Sequence, residues 1–256
     1  MKLSPNPFTH AIRRGEKQIG LWLTSASNSS AEVIAGAGYD WVVVDMEHAP
    51  NHMLSVLGQL QIFASSSTTA LARPNWNDPV EVKRLLDMGA EGLVFPMIQT
   101  VEEAEKAVAS TRYPPRGVRG VSGVTRANKF GRVTDYFDKI EDETTIILQL
   151  ETVAAIERAE EIASVDGVSG IFFGPADISA DMGLLGQTMA PAVWELISSA
   201  AKKLIAKDIP VGTLVLDPQF AAKLLNDGFT FVACGVDTAL LARSADNLLS
   251  QVKGDI

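Results

Sequence analysis

Short apolar, β-branched runs recur along the chain, each bounded by turn residues and most followed by a stretch whose apolar positions repeat every three or four residues. The runs Ile19 to Leu23, Trp41 to Asp45, Thr69 to Arg73, Gly92 to Pro96, Thr145 to Glu151, Gly170 to Gly174, Val211 to Val215 and Phe229 to Gly235 predict eight strands. Helical spacing covers Pro79 to Met88, Val101 to Thr111, Val153 to Ala163, Ala192 to Lys207 and Pro218 to Asn226. Strands with such apolar bodies are buried on both faces, as in parallel sheets sheathed by helices. Eight βα units in series predict a single-domain (β/α)8 TIM barrel over residues 1–256, close to the usual size of about 250 residues. No linker divides the chain, and no G-x-G-x-x-G or P-loop pattern supports a nucleotide-binding sheet.

Two segments fall outside this rhythm. Tyr113 to Glu143 is too long for a plain connection, and the expectation is that it forms part of the rim of the barrel mouth. Asp237 to Val252 is a final helix with Leu241, Ala245, Leu248 and Val252 on one stripe, which must pack on this barrel or on a neighbouring subunit.

The polar residues that interrupt the pattern lie at strand ends. Asp45 and His48 follow the second run, Arg73 closes the third, Gln149 and Glu151 close the fifth, and Asp177 follows the sixth. In a barrel these positions converge on the C-terminal mouth, where chemistry is done. Glu151 and Asp177 offer two hard oxygen ligands and leave most of an octahedron open, the pattern for a divalent ion such as Mg2+ or Mn2+. Asp177 alone could instead cap a helix. Arg73 reads either as an internal salt bridge or as a clamp on an oxyanion. His48 reads as a loop residue or as a base oriented by Asp45, with Glu47 a competing carboxylate in the same loop. Gly174 allows close approach, and the amides of Ala176 and Asp177 would face an anion at a helix start.

Absences narrow the chemistry. No lysine ends a strand, so a Schiff-base mechanism lacks its nucleophile. Asp217 and Asp237, after the last two strands, would repel phosphate, so a sugar phosphate is not the expected substrate. With 22 basic and 31 acidic residues the net charge is −9, which argues against nucleic-acid or anionic-membrane partners. The one cysteine, Cys234, cannot form an intrachain disulfide, and no apolar run approaches a membrane span. A cytoplasmic location is expected.

The motifs Gly20-Leu21-Trp22-Leu23, Asp45-Met46-Glu47-His48-Ala49-Pro50, Arg73-Pro74, Tyr113-Pro114-Pro115, Arg119-Gly120-Val121, Gln149-Leu150-Glu151 and Gly174 to Ser179, in this order and spacing, resemble the 4-hydroxy-2-oxoheptanedioate aldolase family of metal-dependent (class II) pyruvate aldolases. The resemblance implies a (β/α)8 barrel assembled as a homohexamer, with the last helix exchanged between paired subunits. It implies that Glu151 and Asp177 bind a divalent ion (Mg2+, Mn2+ or Co2+) without an organic cofactor. A 2-oxo acid would then be held by this ion and the amides of Ala176 and Asp177, with Gln149 in support. It further implies that Arg73 stabilises an enolate oxygen and that His48, oriented by Asp45, moves protons. Trp22, Val121 and Leu214 match positions lining the aldehyde end, Val121 reaching a neighbouring subunit. Two other readings of the residues stay open: decarboxylation of a 2-oxo acid such as oxaloacetate, and a non-catalytic barrel that binds such an acid.

Overall fold

The computed structural model describes residues 1–254. In chain order the elements are α1 (Pro7–Arg13), β1 (Gln18–Leu23), α2 (Asn28–Ala35), β2 (Trp41–Asp45), α3 (Met53–Phe63), β3 (Thr69–Arg73), α4 (Pro79–Asp87), β4 (Gly92–Phe95), α5 (Val101–Thr111), α6 (Tyr136–Glu143) and β5 (Thr145–Leu150). They continue with α7 (Val153–Glu157), α8 (Ala159–Ala163), β6 (Gly170–Phe173), α9 (Pro175–Asp181), α10 (Pro191–Ile205), β7 (Val211–Leu214), α11 (Pro218–Asn226), β8 (Phe231–Val236) and α12 (Asp237–Gly254). The eight strands pair in sequence order, all parallel, and β8 returns to β1 to close the barrel.

Strand alternation divides the apolar residues into two cores. Leu21, Val42, Val44, Leu148 and Phe173 join the helices in the outer layer. Trp22, Trp41, Val43, Leu71, Val94, Ile147, Phe172 and Phe231 fill the interior. Phe8 and Ile12 of α1 pack into this inner cluster, with the Phe8 ring 5.3 Å from Trp41 and 5.8 Å from Phe231. Both partners lie at the starts of their strands, so α1 plugs the N-terminal end of the barrel and leaves only the C-terminal end open. Gly20 makes room for the Trp41 indole, which a side chain at that position would strike.

Boundaries shift for local reasons. The fourth strand stops at Phe95, because Pro96 has no N–H for the ladder. The helix expected over Val153 to Ala163 is two short ones, since the chain tightens at Arg158, whose N–H bonds to the carbonyl of Ala155 three residues back.

The segment after α5 lies opposite the mouth, which corrects the expectation that it forms the rim. A helix in a βα unit carries the chain back to the N-terminal end of the next strand, so the residues after α5 must lie there. Arg119 from this segment bonds Asp87 at the end of α4 (Nη2 to Oδ1, 2.7 Å), and Arg126 donates to the carbonyls of Met88 and Leu60. Tyr113 stacks on the Arg119 guanidinium at 4.6 Å.

Helix α12 touches the barrel only through its first turn. Asp237 accepts hydrogen bonds from the amides of Thr24 and Ser25, whereas Leu241, Leu248, Leu249 and Val252 stand exposed. The apolar stripe does not pack on its own barrel.

Candidate active site

Parallel register sets Asp45 on β2 directly beside Arg73 on β3. The two close a bidentate pair, Arg73 Nε to Asp45 Oδ1 at 2.8 Å and Nη2 to Oδ2 at 2.7 Å. The third nitrogen, Nη1, lies 2.9 Å from Glu47 Oε2, an ion contact without hydrogen-bond alignment. Arg73 is buried and its guanidinium lies over the Trp22 ring, 5.3 Å from its centroid. Of the two readings of Arg73, the structure shows the internal pairing, with the paired group lying in the mouth.

Asp45 is fully committed to this pair and to its own turn, where Oδ1 accepts the backbone N–H of Glu47 at 3.0 Å and that of His48 at 3.5 Å. Its carboxylate therefore does not orient the His48 imidazole, a correction to the expected pairing. The carboxylate facing that ring is Glu47, with Oε1 3.9 Å from Nε2, and the side chain of His48 is 67 % exposed in the open mouth. The turn is braced by Asn51, which donates to the Asp45 carbonyl at 2.7 Å. His52 is spent as the cap of α3, accepting from the amides of Leu54 and Ser55. Other mouth-side polar residues, Asp78, Thr100, Thr152 and Asp217, likewise cap helices.

Glu151, just past the end of β5, is buried and receives Gln149 Nε2 on Oε1 at 2.6 Å and the amide of Met97 on Oε2 at 2.7 Å. Met97 holds a left-handed backbone (φ 53°), uncommon for a side chain of its kind, and this turns its N–H onto the carboxylate. Gly174 is needed here, because a Cβ would stand 2.9 Å from Glu151 Oε1 and 3.3 Å from Gln149 Nε2. Burial, reinforced by the charges of Asp177 and Glu47, pushes the Glu151 carboxyl up to about 8 in spite of those two hydrogen bonds. Burial also raises Glu47, against the pull of Arg73 and His48.

Asp177 lies in the first turn of α9 and is exposed to the mouth; Gly174 holds the cap position, so Asp177 does not cap the helix. Ala176 is beside it and also exposed. Trp22 and Leu214 belong to the inner cluster beneath the mouth. Val121 is 67 % exposed on the opposite end of the barrel and does not reach its own mouth.

The mouth thus gathers four carboxylates, Asp45, Glu47, Glu151 and Asp177, around one buried guanidinium. No cluster of three or more His, Cys, Asp or Glu side chains is arranged to hold a metal among the described residues. Glu151 and Asp177 remain as a two-carboxylate donor set. That set and the excess negative charge fit a hard divalent cation that keeps most of its coordination for water and ligand. The Met97 amide and the support given by Glu47 are not legible in the sequence, although Asp-Met-Glu-His does signal a second carboxylate.

Comparisons with known proteins agree with this fold. The family described as HpcH/HpaI aldolase/citrate lyase matches residues 18–244. The 4-hydroxy-2-oxo-heptane-1,7-dioate aldolases of Salmonella dublin and Escherichia coli are 46 % and 45 % identical to this chain, covering 96 % of it and 94 % of their own lengths. A crystal structure of a HpcH/HpaI aldolase/citrate lyase family protein from Burkholderia cenocepacia superposes with a TM-score of 0.93 at 35 % identity, covering 97 % of this chain and 99 % of the other. A strand-end mouth with paired carboxylates, and matches that run nearly the full length in sequence and in fold, lead to one assignment: the chain belongs to the HpcH/HpaI aldolase/citrate lyase family.

Proposed function

We propose that the chain is a divalent-metal-dependent aldolase, a carbon–carbon lyase that cleaves 4-hydroxy-2-oxo acids such as 4-hydroxy-2-oxoheptanedioate to pyruvate and an aldehyde, and catalyses the reverse addition. The observation that carries this reading is the surplus of carboxyl groups in the mouth, four to the one Arg73, with no cationic side chain paired to Glu151 or Asp177 among the described residues. The aldolase names of relatives with 46 % and 45 % identity support the substrate class.

A divalent ion at Glu151 and Asp177 (Mg2+, Mn2+ or Co2+) would supply Lewis acidity toward the carboxylate and carbonyl oxygens of the 2-oxo acid. The protein supplies the remainder. Cleavage takes the proton from the 4-hydroxyl group and moves the electron pair of the C3–C4 bond toward the 2-oxo oxygen; C3 later gains a proton. Arg73, held by Asp45 and Glu47, presents its remaining N–H groups to the charge that develops on that oxygen. His48 is free to exchange protons, because its ring makes no hydrogen bond among the described residues. Gln149 fixes Glu151, and the amides of Ala176 and Asp177 hold the acid's carboxylate. Asp45 acts through Arg73, not through His48. Trp22 and Leu214 line the aldehyde end from within the barrel.

The uncovered stripe on α12 and the exposed Val121 support assembly through helix exchange into a homohexamer, with Val121 completing a neighbouring mouth. No helix among the described residues is long and apolar enough to cross a membrane, and the free Cys234 supports a reducing, cytoplasmic setting.

The test is deuterium exchange into the methyl group of pyruvate after chelation, with and without added Mg2+ or Mn2+, followed by addition of an aldehyde. Cation-dependent exchange and a new aldol product are expected. No exchange with any divalent ion would leave a binding barrel. Oxaloacetate decarboxylation without aldol formation would favour the decarboxylase reading.

A further inference from the structure

Asp45 and Glu47 hold the edges of Arg73, and Glu151, across the mouth, lies near enough to act on it electrostatically. No guanidinium or ammonium among the described residues is paired with Glu151 or Asp177, and the Glu47 contact lacks hydrogen-bond alignment, so one edge of the guanidinium is loosely held.

Trp22, from β1, two strands away from β3, presents its ring to the guanidinium, whose Cζ lies over it at 5.3 Å from the centroid. The indole is packed on both sides. It is buried, leans on Phe172 at 5.2 Å and meets Trp41 edge-on at 6.2 Å, and Trp41 in turn rests on the α1 plug through Phe8. A rigid aromatic column therefore runs from the closed end of the barrel to the face of the one arginine in the mouth.

We propose that Trp22 is a positioning residue that holds the Arg73 guanidinium on Asp45 and Glu47 and off the Glu151–Asp177 pair, keeping that pair open to a divalent cation. This rests on the reading of Glu151 and Asp177 as a cation site. Removing the aromatic face lets Arg73 lean toward Glu151, which gives up its proton to pair with the guanidinium, so Arg73 competes with the cation as an internal counter-ion.

The experiment is Mn2+ binding to the full-length protein by calorimetry, in the wild type, Trp22→Leu, Trp22→Phe, Arg73→Met and the two double variants. Trp22→Leu is expected to weaken Mn2+ about tenfold, in line with a desolvated cation–π contact. Trp22→Phe, which keeps a face, should restore affinity to within about threefold of wild type. In the Arg73→Met background neither substitution at Trp22 should have an effect, because the competitor is gone. A merely structural role would weaken binding equally in both backgrounds, and that result overturns the proposal, as does wild-type affinity in Trp22→Leu. If the leucine variant does not fold, the phenylalanine variant carries the test by the same comparison: weaker binding with Arg73 and no change without it. Failure of the wild type to bind Mn2+ sinks the cation-site reading instead, so the two failures are distinct.

Discussion

The two ends of the barrel each bury an arginine against a carboxylate and an aromatic ring, yet they invite opposite uses. At the closed end Arg119, 1 % exposed, pairs with Asp87 at 2.7 Å beneath Tyr113 at 4.6 Å. At the open end Arg73, 7 % exposed, pairs with Asp45 at 2.7 Å beside Trp22 at 5.3 Å. Around Arg119 the one paired carboxylate matches the one cation, and Tyr136 supplies a further contact at 3.3 Å. Around Arg73 carboxylates are left over. A buried arginine with matched charge fixes a segment; the same group amid surplus negative charge leaves a site that needs a cation and can act on an anion.

The largest expected effect separates the ends most sharply. Glu151→Ala should reduce pyruvate proton exchange to background and abolish measurable Mn2+ binding, because the one remaining carboxylate cannot hold the ion. Exchange at wild-type rate under limiting Mn2+ would contradict this. His48→Ala should slow exchange roughly 10²- to 10⁴-fold with Mn2+ affinity unchanged, as removal of an exposed general base does; NMR line intensities of the methyl protons report it. Exchange unchanged in that variant would remove His48 from the reaction.

Next come the two arginines themselves. Arg73→Lys keeps the charge but loses the fork, so exchange should fall about 10²- to 10³-fold with little change in melting temperature. Arg119→Met should do the reverse. It leaves Asp87 unpaired beside a buried contact, costing roughly 3 kcal/mol of stability by thermal unfolding. Pyruvate exchange per folded molecule should stay near wild type. Equal effects of the two substitutions on exchange would erase the distinction between the ends. Smallest of all, Leu214→Phe should shift preference among aldehydes by about tenfold while leaving pyruvate exchange alone; uniform loss across aldehydes would place Leu214 outside the aldehyde end.

Much of this is legible in the chain. Apolar strands with polar ends at Asp45, Arg73, Glu151 and Asp177 imply a barrel and a shared mouth, because alternation and parallel pairing fix where strand ends point. The partnership of Asp45 is not legible, since its true neighbour depends on the register that sets it beside Arg73, and register is a property of two strands and not of spacing along one. Sequence closeness favours His48, which the turn directs into solvent. The left-handed Met97 carries no signal, as a methionine seldom marks such a backbone. The place of the segment after α5 is available from topology, but its length suggests a functional rim and outweighs it.

Function at the open end turns on whether its surplus carboxylates hold a divalent cation. Between the ordinary 4.5 and its raised value near 8, Glu151 in the metal-free folded protein keeps a proton that the unfolded chain has released. Metal-free stability should therefore fall as pH rises through that window, and binding a cation must displace the proton. Titration with Mn2+ at pH 7 in buffers of different ionisation heat measures this directly. Release of about one proton per ion bound is expected in the wild type, with neither binding nor proton release in Glu151→Gln. Binding without proton release, or the same release in Glu151→Gln, would contradict a cation held by Glu151.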